Sequence, residues 1–134
     1  DTPTGLVVPV IHNVEQKTIE DLSLELVEIS EKARSKKLTP SDMAGGTFTI
    51  SSLGGIGGTY FTPIINPPEV AILGISRSKW EKTYNHEQQK SLAQYIMPFS
   101  LSYDHRIIDG AAAAKFTGRF ATTIEDLSFL EKNK

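Results

Sequence analysis

Apolar and polar positions along the chain follow two periods. The clearest is helical: Ile19, Leu22, Leu26, Ile29 and Ala33 recur at steps of three and four, while Glu20, Asp21, Glu25, Glu28, Glu31 and Lys32 fill the other faces. Acids gather early in this segment and Lys32, Arg34, Lys36 and Lys37 come late, the order that complements a helix dipole. The stripe is expected to be core packing. Residues 6–11 are an apolar run read as a strand, with Pro9 marking an edge or a bulge. Residues 47–51 alternate as a strand with one buried face should, with Phe48 and Ile50 on one side and Thr47, Thr49 and Ser51 on the other. Residues 69–76 are apolar enough for a buried strand. Residues 79–90 are polar and read as an exposed hairpin connection, followed by a further strand over 95–103. After Asp109-Gly110 a second helix runs to about Leu130, with Ala112, Phe116, Phe120, Thr123 and Leu127 as its inner stripe and Asp109 at its first turn. Turns fall at residues 39–42, with one short helical turn before Gly45-Gly46, at the glycine stretch 54–58, and at Asn66-Pro67-Pro68. The order β-α-β-β-β-α describes one α/β unit.

Composition narrows the function classes. The chain has 134 residues, 39% hydrophobic and 22% charged, which is ordinary for one globular domain. Its net charge of -2 offers no basic field for nucleic acid. The absence of cysteine excludes a disulfide scaffold, a thiol nucleophile and a Cys-ligated zinc, and fits a reducing compartment. Apolar runs are shorter than a membrane span and no signal-peptide pattern occurs, so neither nucleic acid nor membrane is an expected partner. An apolar strand so early in the sequence needs a sheet partner. The chain is therefore expected to be the later part of a longer domain.

Two features invite a chemical reading. The glycines at 54–58 fit neither phosphate-binding pattern: Gly58 is followed by Thr59-Tyr60 where a P-loop needs Gly-Lys-Ser/Thr, and counting from Gly55 the sixth position is Tyr60. They read as a flexible or closely packed turn, with close approach of a ligand or a neighbouring subunit as the functional version. Of three histidines, His12 and His86 read as surface residues. His105 lies in Tyr103-Asp104-His105-Arg106-Ile107-Ile108-Asp109-Gly110, at a strand-to-helix junction where catalytic groups are often presented. An imidazole titrates near neutral pH, so it suits proton transfer in both directions. Structural ion pairing remains open from residue types alone, as does a metal shared with Asp109, for which no third ligand is evident nearby.

The same segment resembles the D-H-R-x-x-D/N-G motif of the dihydrolipoamide acyltransferases, the core subunits of the 2-oxo acid dehydrogenase complexes. Residues 1–10, 46–54 and 64–74 match further family motifs in order, and the likeness runs over nearly the whole chain. It implies a chloramphenicol-acetyltransferase-like α/β fold, a mixed β-sheet with flanking helices, of which residues 1–134 would be the C-terminal part of the catalytic domain. The wording of residues 51–64 is most like the bacterial acetyltransferases of the pyruvate dehydrogenase complex, which implies a cytoplasmic enzyme moving acetyl from S-acetyl-dihydrolipoyl-lysine to coenzyme A. His105 would be the general base on the coenzyme A thiol. Ser51 would be the oxyanion donor, with Ser52 on the opposite strand face as the alternative. Asp109, at a position where relatives carry Asp or Asn, would position rather than abstract. Arg106 would pair with a carboxylate, and Gly110 would allow close packing. Coenzyme A enters as substrate, the lipoyl group on a separate domain, and no metal is implied; residues that hold coenzyme A are not assignable here. The implied partners are further copies of the chain, in trimers that assemble into a larger core with active sites at subunit interfaces, together with the lipoyl domain. Modules outside this chain would add the pyruvate decarboxylase component and dihydrolipoamide dehydrogenase. A catalytically silent core scaffold and a free-standing chloramphenicol-type acetyltransferase are the alternatives.

Overall fold

The computed structural model describes Thr2 and residues 5–132. They divide into two compact units, Asp1–Thr47 with Phe116–Lys134, and Phe48–Lys115.

In the first unit the expected helix forms as α1, Ile19–Arg34. Thr18 caps it: its hydroxyl accepts the Asp21 N–H at 3.1 Å while the Asp21 carboxylate accepts the Thr18 N–H at 3.0 Å, which satisfies two backbone donors at the helix start. Glu20 and Asp21 lie in the first turn and Lys32 and Arg34 in the last, as the dipole favours. The apolar stripe is only partly a core. Ile29 is buried, but Leu26 is 56% exposed, and Ile19, Leu24 and Val27 also face outward. The short helical turn appears as a 3-10 turn over Pro40–Met43, where Asp42 accepts the Thr39 N–H at 2.7 Å. Residues 6–11 do not form the expected strand. The Val10 N–H donates instead to the carbonyl of Asp42 at 2.8 Å, a bond to a turn rather than to a sheet edge. Apolar content argues for burial, but a strand also needs a neighbouring strand to receive its backbone bonds.

The second unit holds five strands: β1 (Thr49–Ser52), β2 (Ala71–Ile75), β3 (Lys79–Asn85), β4 (Lys90–Ile96) and β5 (Phe99–Tyr103). Three form a mixed sheet in the order β1-β2-β5, with β1 parallel and β5 antiparallel to β2. The central strand is the core, with Ala71, Ile72 and Leu73 buried. The expected burial of β1 is inverted. Thr49 is 7% exposed and Ile50 61% exposed, because the covered face of this edge strand is the one carrying hydroxyls. Register explains why. Ser51, Gly74 and Ser100 form one row on that face, and Thr49, Ile72 and Ser102 the next. Phe61 packs over the space that Gly74 leaves, and the Ser100 hydroxyl donates to the Phe61 carbonyl at 2.5 Å.

The polar stretch 79–90 is more than a connection: its first seven residues are β3, which pairs with β4 as a separate hairpin. Trp80 lies opposite Tyr95 with ring centroids 5.3 Å apart. The strand expected over 95–103 splits at Met97-Pro98. Proline offers no N–H to a ladder, and its carbonyl instead accepts the Ser76 N–H at 2.9 Å.

The second helix forms as α2, Gly110–Glu125, and does not continue unbroken to residue 130. Asp126 ends it and accepts the Ser128 N–H at 2.9 Å, which starts α3, Leu127–Lys132. Its buried side is centred on Ala113, with Thr117, Phe120 and Thr123 half-buried. Ala112, Phe116 and Leu127 of the expected stripe are exposed. In a segment this rich in alanine the apolar residues do not single out one face. Among the described residues no helix is long and apolar enough to cross a membrane.

Candidate active site

The His105 segment begins where β5 ends. The Asp104 N–H donates to the Val70 carbonyl at 2.8 Å, carrying the sheet bonding one residue further. The chain then turns sharply, and the N–H groups of Ile107 and Ile108 both donate to the Asp104 carbonyl at 3.0 Å. Asp104 is the carboxylate that pairs with Arg106. It accepts the Arg106 backbone N–H at 3.0 Å, Nε at 2.9 Å and Nη2 at 2.6 Å. Those bonds favour the charged form and hold the Asp104 carboxyl down to about 2. Asp104 thus closes the turn with both its carbonyl and its carboxylate.

His105 stands at its apex, exposed to solvent, with its ring 5.7 Å from that of Tyr103. Asp109 caps α2: Oδ1 accepts the Ala112 N–H at 2.7 Å, and its carbonyl accepts that of Ala113 at 3.0 Å. Gly110 is less crowded than expected, since a Cβ there would meet Tyr103 Oη at an ordinary 3.7 Å.

Ser51 lies on the hydroxyl-bearing face of β1, half-buried, and its side chain forms no hydrogen bond with another described residue. Ser52 is on the opposite face, where its hydroxyl accepts the Gly54 N–H at 3.4 Å. The glycine turn follows. The carbonyl of Leu53 accepts from Ile56 and Gly57, both at 2.9 Å, and Gly57 and Gly58 take positive φ of 144° and 89°. Arg77 closes it, donating from Nε and Nη2 to the carbonyls of Gly54 and Gly55, both at 3.1 Å.

Within one chain Ser51 and His105 are not brought together. Ser51 is in the row of Gly74 and Ser100, whereas the His105 turn leaves from Tyr103, in the row of Ala71. At a rise of roughly 3.3 Å per residue and about 4.8 Å between strands, those positions differ by about 10 Å along the sheet and about 10 Å across it. The other histidines are surface residues, as expected: His12 Nε2 lies 3.3 Å from the Ser41 carbonyl, and His86 packs edge-on to Tyr84. Among the described residues no three His, Asp or Glu side chains gather as a metal site. Arg77, Tyr103 and the pair Thr49 and Glu69 were not singled out from sequence, because each acts through a partner twenty or more positions away or through ring geometry.

A mixed sheet thus runs into a histidine turn braced by the Asp104–Arg106 ion pair, with the hydroxyl-bearing face of β1 two strands across. The family model for the 2-oxoacid dehydrogenases acyltransferase catalytic domain matches residues 1–131, and the chain belongs to that family. It is 57% identical over 127 residues, 95% of this chain and 22% of the relative, to the dihydrolipoyllysine-residue acetyltransferase component of the pyruvate dehydrogenase complex of Haemophilus influenzae. Identity to the component of the same name from Azotobacter vinelandii is 54%, over 95% of this chain and 20% of the relative. A crystal structure of the Azotobacter vinelandii dihydrolipoamide acetyltransferase superposes with a TM-score of 0.92 at 53% identity, covering 97% of this chain and 53% of that one. It addresses the role of a serine, a histidine and an asparagine in that enzyme's catalytic mechanism. The cubic core of a pyruvate dehydrogenase multienzyme complex superposes equally well, with a TM-score of 0.92 at 52% identity and the same coverage. The chain therefore spans about a fifth of these curated relatives and about half of these solved chains.

Proposed function

We propose that this chain supplies both halves of an acetyl-transfer site that forms between copies of itself, in the acetyltransferase component of a bacterial pyruvate dehydrogenase complex. The observation that carries the reading is the Asp104-locked turn, which presents an exposed imidazole within a chain 57% identical to such a component. His105 takes the proton of the coenzyme A thiol, which at an unperturbed pKa of about 8.5 is mostly protonated at neutral pH. The thiolate attacks the carbonyl of the S-acetyl-dihydrolipoyl thioester. The Ser51 hydroxyl of a neighbouring copy donates to the oxyanion of the tetrahedral intermediate. Collapse breaks the bond to the dihydrolipoyl sulfur, which recovers the proton from the imidazolium. Asp109 holds the start of α2 and with it the far end of the turn. The relative's serine, histidine and asparagine support these roles, the last two being four positions apart as His105 and Asp109 are.

The register supports an intersubunit site. Reacting groups must come within about 3–3.5 Å for positioning to accelerate the reaction, which the strands of one copy prevent. Trimers joined into a larger core, a lipoyl domain as the acetyl donor, the decarboxylase and dihydrolipoamide dehydrogenase as further partners, and a cytoplasmic location complete the proposal.

The test uses the full-length protein. Acetyl-dihydrolipoamide with coenzyme A should yield acetyl-coenzyme A, and chloramphenicol should not be acetylated. A fully assembled protein that forms no acetyl-coenzyme A would overturn the reading in favour of a silent scaffold. Efficient acetylation of chloramphenicol would overturn it in favour of a free-standing enzyme.

A further inference from the structure

We infer that Glu69, with Thr49, is a positioning residue for acetyl transfer, tying the Ser51 strand to the His105 turn. The inference rests on the function proposed above. Thr49 lies two residues before Ser51 on the same strand face and is 7% exposed. Its hydroxyl donates to Glu69 Oε2 at 2.5 Å, a partly buried bond that links this strand to the segment preceding β2. Glu69 is itself fixed, because it closes the proline turn with its N–H donating to the Asn66 carbonyl at 3.0 Å. The next residue, Val70, accepts the N–H of Asp104, whose carboxylate locks the His105 turn. One dipeptide, Glu69-Val70, therefore holds the serine strand with its side chain and the histidine turn with its backbone.

This arrangement has a consequence for an intersubunit site. Ser51 of one copy serves one active site and His105 of the same copy serves the next, so the dipeptide couples the geometry of two neighbouring sites. The bond needs an acceptor at position 69 and a hydroxyl at position 49, but no charge transfer. Glu69→Gln keeps an acceptor oxygen, and Thr49→Ser keeps the donor. Glu69→Ala and Thr49→Val remove the bond, leaving the Ser51 strand held by its ladder to β2 without this side-chain brace.

The experiment measures kcat, the KM for coenzyme A and for acetyl-dihydrolipoamide, and thermal stability, on the assembled full-length protein. Glu69→Ala and Thr49→Val should each lower kcat by about tenfold to a hundredfold with both KM values within about threefold, the signature of misplaced reacting groups rather than lost substrate contacts. Glu69→Gln and Thr49→Ser should restore most of kcat. If Glu69→Ala and Thr49→Val lower stability alone and leave kcat unchanged, the bond is structural and the inference fails. It also fails if Glu69→Gln is as damaging as Glu69→Ala, since the negative charge rather than the bond would then matter. A wild-type protein without acetyl transfer would overturn the proposed function itself, whereas an active wild type with indifferent variants would overturn this inference alone.

Discussion

Asp104 makes the histidine turn sensitive to acid in a defined window. Its carboxyl is held at about 2 in the folded chain by the Arg106 side chain and backbone bonds, below the ordinary value near 4. The unfolded chain therefore takes up the proton first as pH falls, so the stabilisation is complete above about pH 4 and disappears as pH approaches about 2. The stability difference between wild type and Asp104→Asn should be flat from pH 8 to 5 and shrink below pH 4. A difference that persists unchanged to pH 2 would contradict the ion pair's role. Chemistry at neighbouring positions separates in the same way. His105→Ala should fold normally and lose roughly 10²–10⁴ in acetyl transfer, the usual cost of a general base. Ser51→Ala should lower kcat by roughly 10²–10³ and Ser52→Ala far less, because one oxyanion donor is lost only on the Ser51 face. A larger loss at Ser52 would show that the wrong strand face had been assigned. Asp109→Asn should retain activity, since an amide oxygen caps α2 as well as a carboxylate does. Asp109→Ala should lose about 1 kcal/mol of stability along with turnover, which equilibrium denaturation and kinetics would both register.

In the sheet, one glycine sets how closely the covering segment approaches. A Cβ on Gly74 would sit 2.8 Å from Phe61 Cζ and 2.9 Å from Ser100 Oγ, so the ring must move for any larger residue. Gly74→Ala should destabilise by roughly 1–3 kcal/mol through overpacking. Combined with Phe61→Ala, the two costs should fall short of their sum, because the second change vacates the space the first one fills. Additive losses in urea denaturation would mean that the contact does not limit packing. The hairpin follows different physics. Its Trp80, Tyr84 and Tyr95 are all more than half exposed, so β3 and β4 are held by their own ladder and by cross-strand rings rather than by a core. That is why residues 79–90 look like a connection in the sequence: without a buried face, a strand has no apolar alternation to display.

Across the whole chain, apolar residues stay exposed in both units: Leu24, Leu26 and Val27 in the first, and Ile50, Ile56, Tyr60 and Ile64 in the second. If these side chains form contiguous patches, such surfaces favour association with another polypeptide. Studied alone, the 134-residue chain should bind a hydrophobic dye and self-associate heterogeneously, with little or no acetyl transfer. In the full-length protein, assembled as proposed above, dye binding should be lost and the protein should sediment as a uniform oligomer. A monodisperse chain that is fully active and proven by intact mass to be alone would refute this expectation.

Local rules reached the features that local physics controls. The period and charge order of residues 19–34 determined α1, the apolar run before Ser76 determined β2, and the ordered motifs around Ser51 and His105 determined the family. Tertiary structure decided what depends on distant partners. Residues 6–11 are apolar enough for a strand but bond to Asp42, Pro98 divides one expected strand into two, and β1 covers its hydroxyls while leaving Ile50 in the open. Sequence spacing cannot reveal that Glu69 receives the Thr49 hydroxyl across twenty positions, or that register holds Ser51 away from the His105 turn of its own copy. Periodicity reports which side of an element is apolar, whereas burial and bonding are fixed by what packs against that side.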